Sequence, residues 1–186
     1  DVAQNSAQLS NFQSVITTVE AKRFSLANSA GIMLGDDYHF DLTRPGLSLY
    51  GGIARAEMAA FIKPVVALSA RLLQVRDVPA GTPIGYNAIH ICNADTRVGT
   101  ISIGYADGYL RAFSGKGSAR VGGHNAPVIG RVSMDLVTLD LTTTPDIREG
   151  DWVELEYDLI STSALTGLSQ YELLTNLGSR FARVWR

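Results

Sequence analysis

The sequence predicts a mixed α/β and β protein: the tail of a βα (TIM-type) barrel over residues 1–60, followed by a mainly antiparallel β domain over residues 61–186. Three observations predict it. The first fifty residues alternate a helical apolar period, short apolar runs and polar loops. That is the grammar of βα units, whose functional groups sit in loops at the strand C-termini. After Ala60, glycines at positions 108, 115, 117, 122, 123, 130 and 150 punctuate short runs, as hairpins require. Finally, 46% of the residues are hydrophobic and 18% charged, against a usual charged share of about 25%. That balance excludes a disordered chain and points to a buried contact between chains.

Each element has a local reason. Leu9, Phe12, Val15, Ile16 and Val19 recur at three- and four-residue steps, so residues 5–20 are expected to form a helix capped by Asn5 or Ser6. Residues 23–27 read as a short strand ending at Asn28-Ser29, with a turn of helix from Ala30 to Leu34. His39 to Leu42 read as a second short strand, running into Thr43-Arg44-Pro45-Gly46. A long strand is expected over 64–77, with a turn at Pro79-Ala80-Gly81-Thr82. Further strands are expected at 97–103, 118–122, 126–133, 136–141 and 151–156. Ser169 and Glu172 have the spacing of a capping box, so a helix should run over 170–177 and stop at Gly178. Phe181 to Trp185 reads as a closing strand.

Several function classes drop out. The net charge of −2 excludes a generic basic nucleic-acid binder. No apolar run reaches the roughly 18 residues of a membrane span, since Ala59 to Val75 is broken by Lys63, Ser69 and Arg71. A lone cysteine, Cys92, forms no internal disulfide, so a reducing, cytoplasmic setting is expected. The chain starts at Asp1 with no charged-then-apolar leader, so no signal peptide is expected, and the abrupt start reads as part of a longer protein. His39, His90 and His124 lack the spacing of a zinc site, so no metal is expected. Gly115-Lys116-Gly117-Ser118 lacks the upstream glycine of a nucleotide loop and reads as a hairpin tip.

Two constellations remain. Asn28-Ser29 and Arg44-Pro45-Gly46-Leu47 each follow a short strand, where a hydroxyl and free amides could hold a phosphate. Tyr86 and Tyr105 each follow a glycine. Either could act as a general base if nearby positive charge lowered its pKa, or could simply fill a sheet face. No serine sits in a nucleophile elbow.

Four motifs occur in order: Ser25-Leu26-Ala27-Asn28-Ser29-Ala30, Arg44-Pro45-Gly46-Leu47-Ser48-Leu49-Tyr50-Gly51, Ile103-Gly104-Tyr105-Ala106-Asp107-Gly108 and Gly130-Arg131-Val132-Ser133-Met134-Asp135. Together they resemble the C-terminal half of bacterial alanine racemase, over nearly the whole chain. Ser133 stands where many members have cysteine. The resemblance implies a pyridoxal 5'-phosphate enzyme, a head-to-tail homodimer that makes D-alanine for peptidoglycan by a two-base mechanism. It implies that Asn28, Ser29, the backbone of Gly46 and Leu47, and the Tyr171 hydroxyl hold the cofactor, with Arg44 facing the pyridine nitrogen. It further implies that Tyr86 is the catalytic acid–base. Tyr105 would line the substrate pocket, the Met134 backbone would meet the substrate carboxylate, and Asp135 would sit beside it.

The family's cofactor lysine lies in a motif near its N-terminus, and Lys22, Lys63 and Lys116 lack that context. The chain therefore carries one catalytic face, needs the N-terminal half as a partner, and is expected to be inactive alone. Two alternatives stay open: a serine or broad-specificity racemase on the same scaffold, and a non-catalytic dimerisation module.

Overall fold

A computed structural model describes residues 2–144 and 146–185. It divides into two compact units, the first ending at Val65 and the second beginning at Val66.

In the first unit, helix α1 spans Val2–Ile16. It starts earlier than the apolar pattern indicates. The expected cap Ser6 lies inside it, its hydroxyl donating back to the Val2 carbonyl at 3.0 Å. It also stops earlier, because the Thr17 and Thr18 hydroxyls donate to the Ser14 and Val15 carbonyls and compete with the helical ladder. Phe12 is its anchor, meeting Phe24 and Phe40 edge to face at 6.5 and 4.9 Å.

The expected strands at 23–27 and 39–42 do not form. Among the described residues an isolated parallel bridge joins Asn28 to Arg44, with backbone bonds from Asp41 N to Phe24 O and from Arg44 N to Ala27 O. Two short segments without further neighbours cannot sustain a ladder. Helix α2, Ser29–Ile32, follows with Asn28 as its N-cap, and a 3-10 turn covers Leu47–Tyr50.

The second unit is a closed six-stranded antiparallel barrel. Its long strand β1 (Leu68–Val78) is followed by the short hairpin β2 (Pro83–Ile84) and β3 (His90–Ile91). Then come β4 (Thr96–Ile101), β5 (Ser118–Val121), β6 (His124–Ile129), β7 (Val137–Asp140) and β8 (Trp152–Leu155). The barrel order is β1-β4-β7-β6-β5-β8. A register shift between Leu72 and Gln74 lets β1 pair with β8 along its first half and with β4 along its second.

Alternation puts Leu68, Ala70 and Leu72 inside, with Ala119, Val121, Ala126, Val128, Val137, Leu139, Val153 and Leu155. So narrow a barrel needs small residues among large ones. Gly99 is one of them, since a Cβ there would meet the Leu141 and Leu72 side chains at 2.4 and 2.9 Å. Gly122 and Gly123, both with positive φ, make the β5–β6 hairpin tip. The Gly115–Ser118 stretch is instead the turn that leads into β5.

Helix α3 (Leu159–Thr166), capped by Asp158 and ended by Gly167, was not expected. Helix α4 (Gln170–Thr175) has the expected capping box, Ser169 and Glu172 bonding each other's amides. Phe181 to Trp185 is irregular rather than a strand.

Tyr109, Phe113 and Tyr157 stack beneath these helices at 4.0 and 5.8 Å. Tyr157 donates to the Leu173 carbonyl, whereas the buried Tyr109 hydroxyl has no partner among the described residues. Burial raises both phenols far above the ordinary value near 10. The unfolded chain therefore ionises first as pH climbs past 10, and their contribution to stability, intact below that pH, is lost above it. Tyr109→Phe removes an unsatisfied buried group, so its stability at neutral pH should match or exceed the parent by about 1 kcal/mol. Above pH 10 its stability should also fall less steeply, by about 1.4 kcal/mol per pH unit. Urea midpoints at pH 7 and 10.5 (about half a unit above the ordinary tyrosine value) measure both effects.

Candidate active site

In the first unit the predicted phosphate residues cluster. The Asn28 side chain accepts from the Gly31 amide at 3.0 Å. Ser29 is buried, and its hydroxyl oxygen accepts from the Ser48 amide at 3.2 Å, which ties α2 to the turn Leu47–Tyr50. That bond leaves the Ser29 hydroxyl proton available to donate. Beside it, Ser48 Oγ is buried with no partner among the described residues. Gly46 precedes the turn, and Gly51 closes it with φ +81°, where a Cβ would strike the Lys63 carbonyl at 2.8 Å.

Arg44 Nη1 donates to the Ser25 carbonyl at 2.8 Å and to the Ser25 hydroxyl, and Nη2 to the Leu26 carbonyl at 3.3 Å. Three bonds to one neighbouring segment hold this guanidinium in a single orientation, with positive charge left over. A cavity of about 230 Å³ also lies in this unit, lined by Leu26, Asn28, Gly31 and Arg55 among others. It involves neither Ser29 nor Arg44.

In the second unit Tyr86 stands 69% exposed at the tip of the β2–β3 hairpin. The tip is strained: Gly85, Asn87 and Ala88 have φ of 74°, 63° and 49°. Left-handed backbone at Asn and Ala costs free energy and persists only where the surroundings enforce it. At the base of the tip Gly130 and Arg131 pack under Gly85 and Ile84, and a Cβ on Gly130 would lie 3.0 Å from the Ile84 carbonyl.

The same segment continues into the turn Ser133–Leu136, closed by bonds between the Ser133 hydroxyl and Leu136. The Tyr105 and Ala106 amides donate to the Ser133 and Met134 carbonyls, both at 3.0 Å. Gly104 fits there because it has no side chain, since a Cβ would sit 2.3 Å from the Met134 oxygen. The Tyr105 ring carries the Arg111 guanidinium at 4.9 Å from its centroid. Met134 is exposed, and among the described residues its amide donates no hydrogen bond.

The structure adds Asp107, Ser48 and Arg180, which sequence reasoning did not assign. Asp107 lies inside a quoted motif, but Arg180 has no local signature. Arg180 Nη1 meets Asp135 Oδ1 at 2.8 Å, and Nε meets the largely buried Asp107 at 3.1 Å. The hydrogen bond to Asp135, then the charge of Asp107, raise the arginine's pKa further. Tyr171 lies on α4, half exposed, in the second unit, whereas the other predicted cofactor residues belong to the first. Among the described residues, no three His, Cys, Asp or Glu side chains gather as a metal site would need. No helix is long and apolar enough to cross a membrane.

Comparison with known proteins adds three findings. A family model described as alanine racemase, C-terminal domain, matches residues 65–185, and one for the N-terminal domain matches residues 1–54. The chain is 42% identical to the biosynthetic alanine racemase of Agrobacterium fabrum, over 96% of the chain and 50% of that protein. It is also 42% identical to the alanine racemase of Acidiphilium cryptum, over 99% of the chain and 52% of that protein. It superposes on the crystal structure of the Bartonella henselae alanine racemase with covalently bound pyridoxal phosphate at a TM-score of 0.84 and 39% identity, covering 97% of the chain and 52% of that structure. With the Streptomyces coelicolor alanine racemase the TM-score is 0.87 at 31% identity, covering 96% and 51%. The chain spans about half the length of the curated relatives it matches.

Proposed function

Since the chain belongs to the alanine racemase family, we propose that it is the C-terminal half of a pyridoxal-phosphate enzyme interconverting L- and D-alanine. In this reading the residues up to about 60 complete the cofactor-binding barrel, and the β domain closes the site in a head-to-tail dimer. The half that carries the cofactor lysine is needed for turnover. The observation that carries the reading is the anchored cation beside an anion cradle: Arg44 held by Ser25 and Leu26, with the orphaned Ser48 Oγ and the Ser29 hydroxyl in the neighbouring turn.

The residues present fit the cofactor. Ser29 and Ser48 would donate hydroxyl protons to its phosphate, with Asn28 holding α2 in place. The backbone of Gly46 and Leu47 and the Tyr171 hydroxyl would add further donors. When bound, pyridoxal phosphate supplies the electron-withdrawing ring that acidifies the α-hydrogen of an amino acid. Arg44 never gives up its proton, so it would keep the pyridine nitrogen facing it unprotonated. Arg44 would thereby weaken the electron withdrawal available to the substrate, disfavouring transamination and suiting simple reprotonation. Tyr86, presented on its strained tip, would take and return the proton on one face of the α-carbon. The Met134 amide would receive the substrate carboxylate, Tyr105 would line the way in, and Asp135 would brace the turn beside it.

The test is Arg44→Glu in the intact enzyme. A carboxylate at position 44 would let the facing ring nitrogen take up a proton. Racemisation should fall by roughly 10²-fold, while incubation with alanine should yield pyruvate and pyridoxamine phosphate, both measurable by chromatography. Unchanged racemisation with no pyridoxamine phosphate would reduce Arg44 to a clasp on the 25–26 segment.

A further inference from the structure

The ion pairs of Arg180 carry an inference that rests on the functional reading above. We propose that Arg180 is a positioning residue of the carboxylate-binding turn: it cancels the charges of Asp107 and Asp135 so that the Met134 amide can receive a substrate anion.

The turn that offers the Met134 amide is built among acidic groups. Asp135 is the next residue, and Asp107 lies in the loop whose amides hold the Ser133 and Met134 carbonyls. Asp107 is already committed on one side, its Oδ2 accepting the Gly104 amide at 2.9 Å. Its other oxygen and Asp135 Oδ1 converge on the single guanidinium of Arg180, at 3.1 and 2.8 Å. An arginine fits this task because its planar fork can serve two carboxylates at once and stays charged.

Without it, two carboxylates would stand near a site that must attract a third. Their repulsion of that anion is the penalty. It is separate from the loss of packing, because Arg180 is itself half exposed. The arginine is also held in register by the chain around it: the Gly178 amide donates to the Asp107 carbonyl at 3.0 Å, and a Cβ on Gly108 would strike the Asn176 carbonyl. The segment just after α4 is thereby pinned to the Tyr105 loop.

The experiment uses the intact enzyme and propionate, which is alanine without its amino group, as a competitive probe of the carboxylate site. Arg180→Gln keeps a planar polar end but is shorter, has fewer donors and carries no charge. Its propionate inhibition constant and its KM for alanine should rise about tenfold, with the increase growing as salt is lowered. Arg180→Lys, which retains the charge, should stay near the parent. Adding Asp135→Asn to Arg180→Gln should recover much of the loss, because the second substitution removes the unpaired negative charge. A purely structural role predicts the opposite, since losing both ends of a brace does not restore binding.

An unchanged propionate constant in Arg180→Gln, or further weakening in the double variant, would overturn the inference while leaving the functional reading intact. An unsubstituted intact enzyme that does not racemise alanine would overturn both. Should Arg180→Gln not fold, the same sign test is made with Asp135→Asn in the Arg180→Lys background. Propionate should then bind at least as tightly as to Arg180→Lys, and weaker binding would refute the charge argument.

Discussion

Replacing Tyr86 by phenylalanine is expected to slow racemisation of alanine in both directions by roughly 10²–10⁴-fold, equivalent to about 3–5 kcal/mol of lost transition-state stabilisation. The side chain stands exposed on a hairpin tip, so deleting its hydroxyl should change stability by less than about 0.5 kcal/mol. The two directions must slow together, because the variant cannot shift the equilibrium between enantiomers. Asymmetry appears instead in exchange of the α-hydrogen with solvent. In the proposed two-base arrangement the other base is the family's lysine, and D-alanine presents its hydrogen to that lysine. Exchange should therefore survive for D-alanine and vanish for L-alanine. Deuterium wash-in followed by NMR reads this directly, and mild, equal losses for both enantiomers would mean that Tyr86 is only a packed surface aromatic.

Gly104→Ala is expected to cost about 2–4 kcal/mol of stability and to abolish most activity of the intact enzyme. The backbone at Gly104 is extended, φ −161° and ψ −166°, so conformation is not the obstacle. Space is: a Cβ would lie 2.3 Å from the Met134 oxygen and 2.5 Å from the Ser133 oxygen. These are backbone atoms and cannot swing aside. The Tyr105 loop must part from the 133–136 turn, losing both amide bonds that join them. Gly123→Ala is the control. It bears the cost of a positive φ, +84°, which Gly104→Ala does not, but its Cβ would meet nothing within 4 Å, so about 1 kcal/mol is expected. Urea unfolding of the two variants side by side checks the comparison; equal losses would mean that the Gly104 contact relaxes freely.

Much of the barrel was legible because its cause is local. Leu68, Ala70 and Leu72 alternate with Ser69 and Arg71, and the Ser169–Glu172 box spans one helical turn. Helix α3 went unread although Asp158 and Gly167 mark its ends, because it buries only Leu159 and Thr162 and shows no apolar stripe. The segments 23–27 and 39–42 have strand composition, yet composition cannot supply neighbours to pair with.

By itself the sequence determined the order of the barrel strands along the chain, the residue types available for chemistry and, through four motifs in order, the family. Tertiary structure decided how those residues are held. The base of the tip under Tyr86, Ile84 and Gly85, is packed against Gly130 and Arg131, more than forty residues further along the chain. Arg180 finds Asp107 and Asp135 only when the segment after α4 folds back over the Tyr105 loop. Periodicity, caps and turns are written in neighbouring residues, whereas steric enforcement and charge pairing depend on distances between groups far apart in the chain, and those exist only once the barrel has closed.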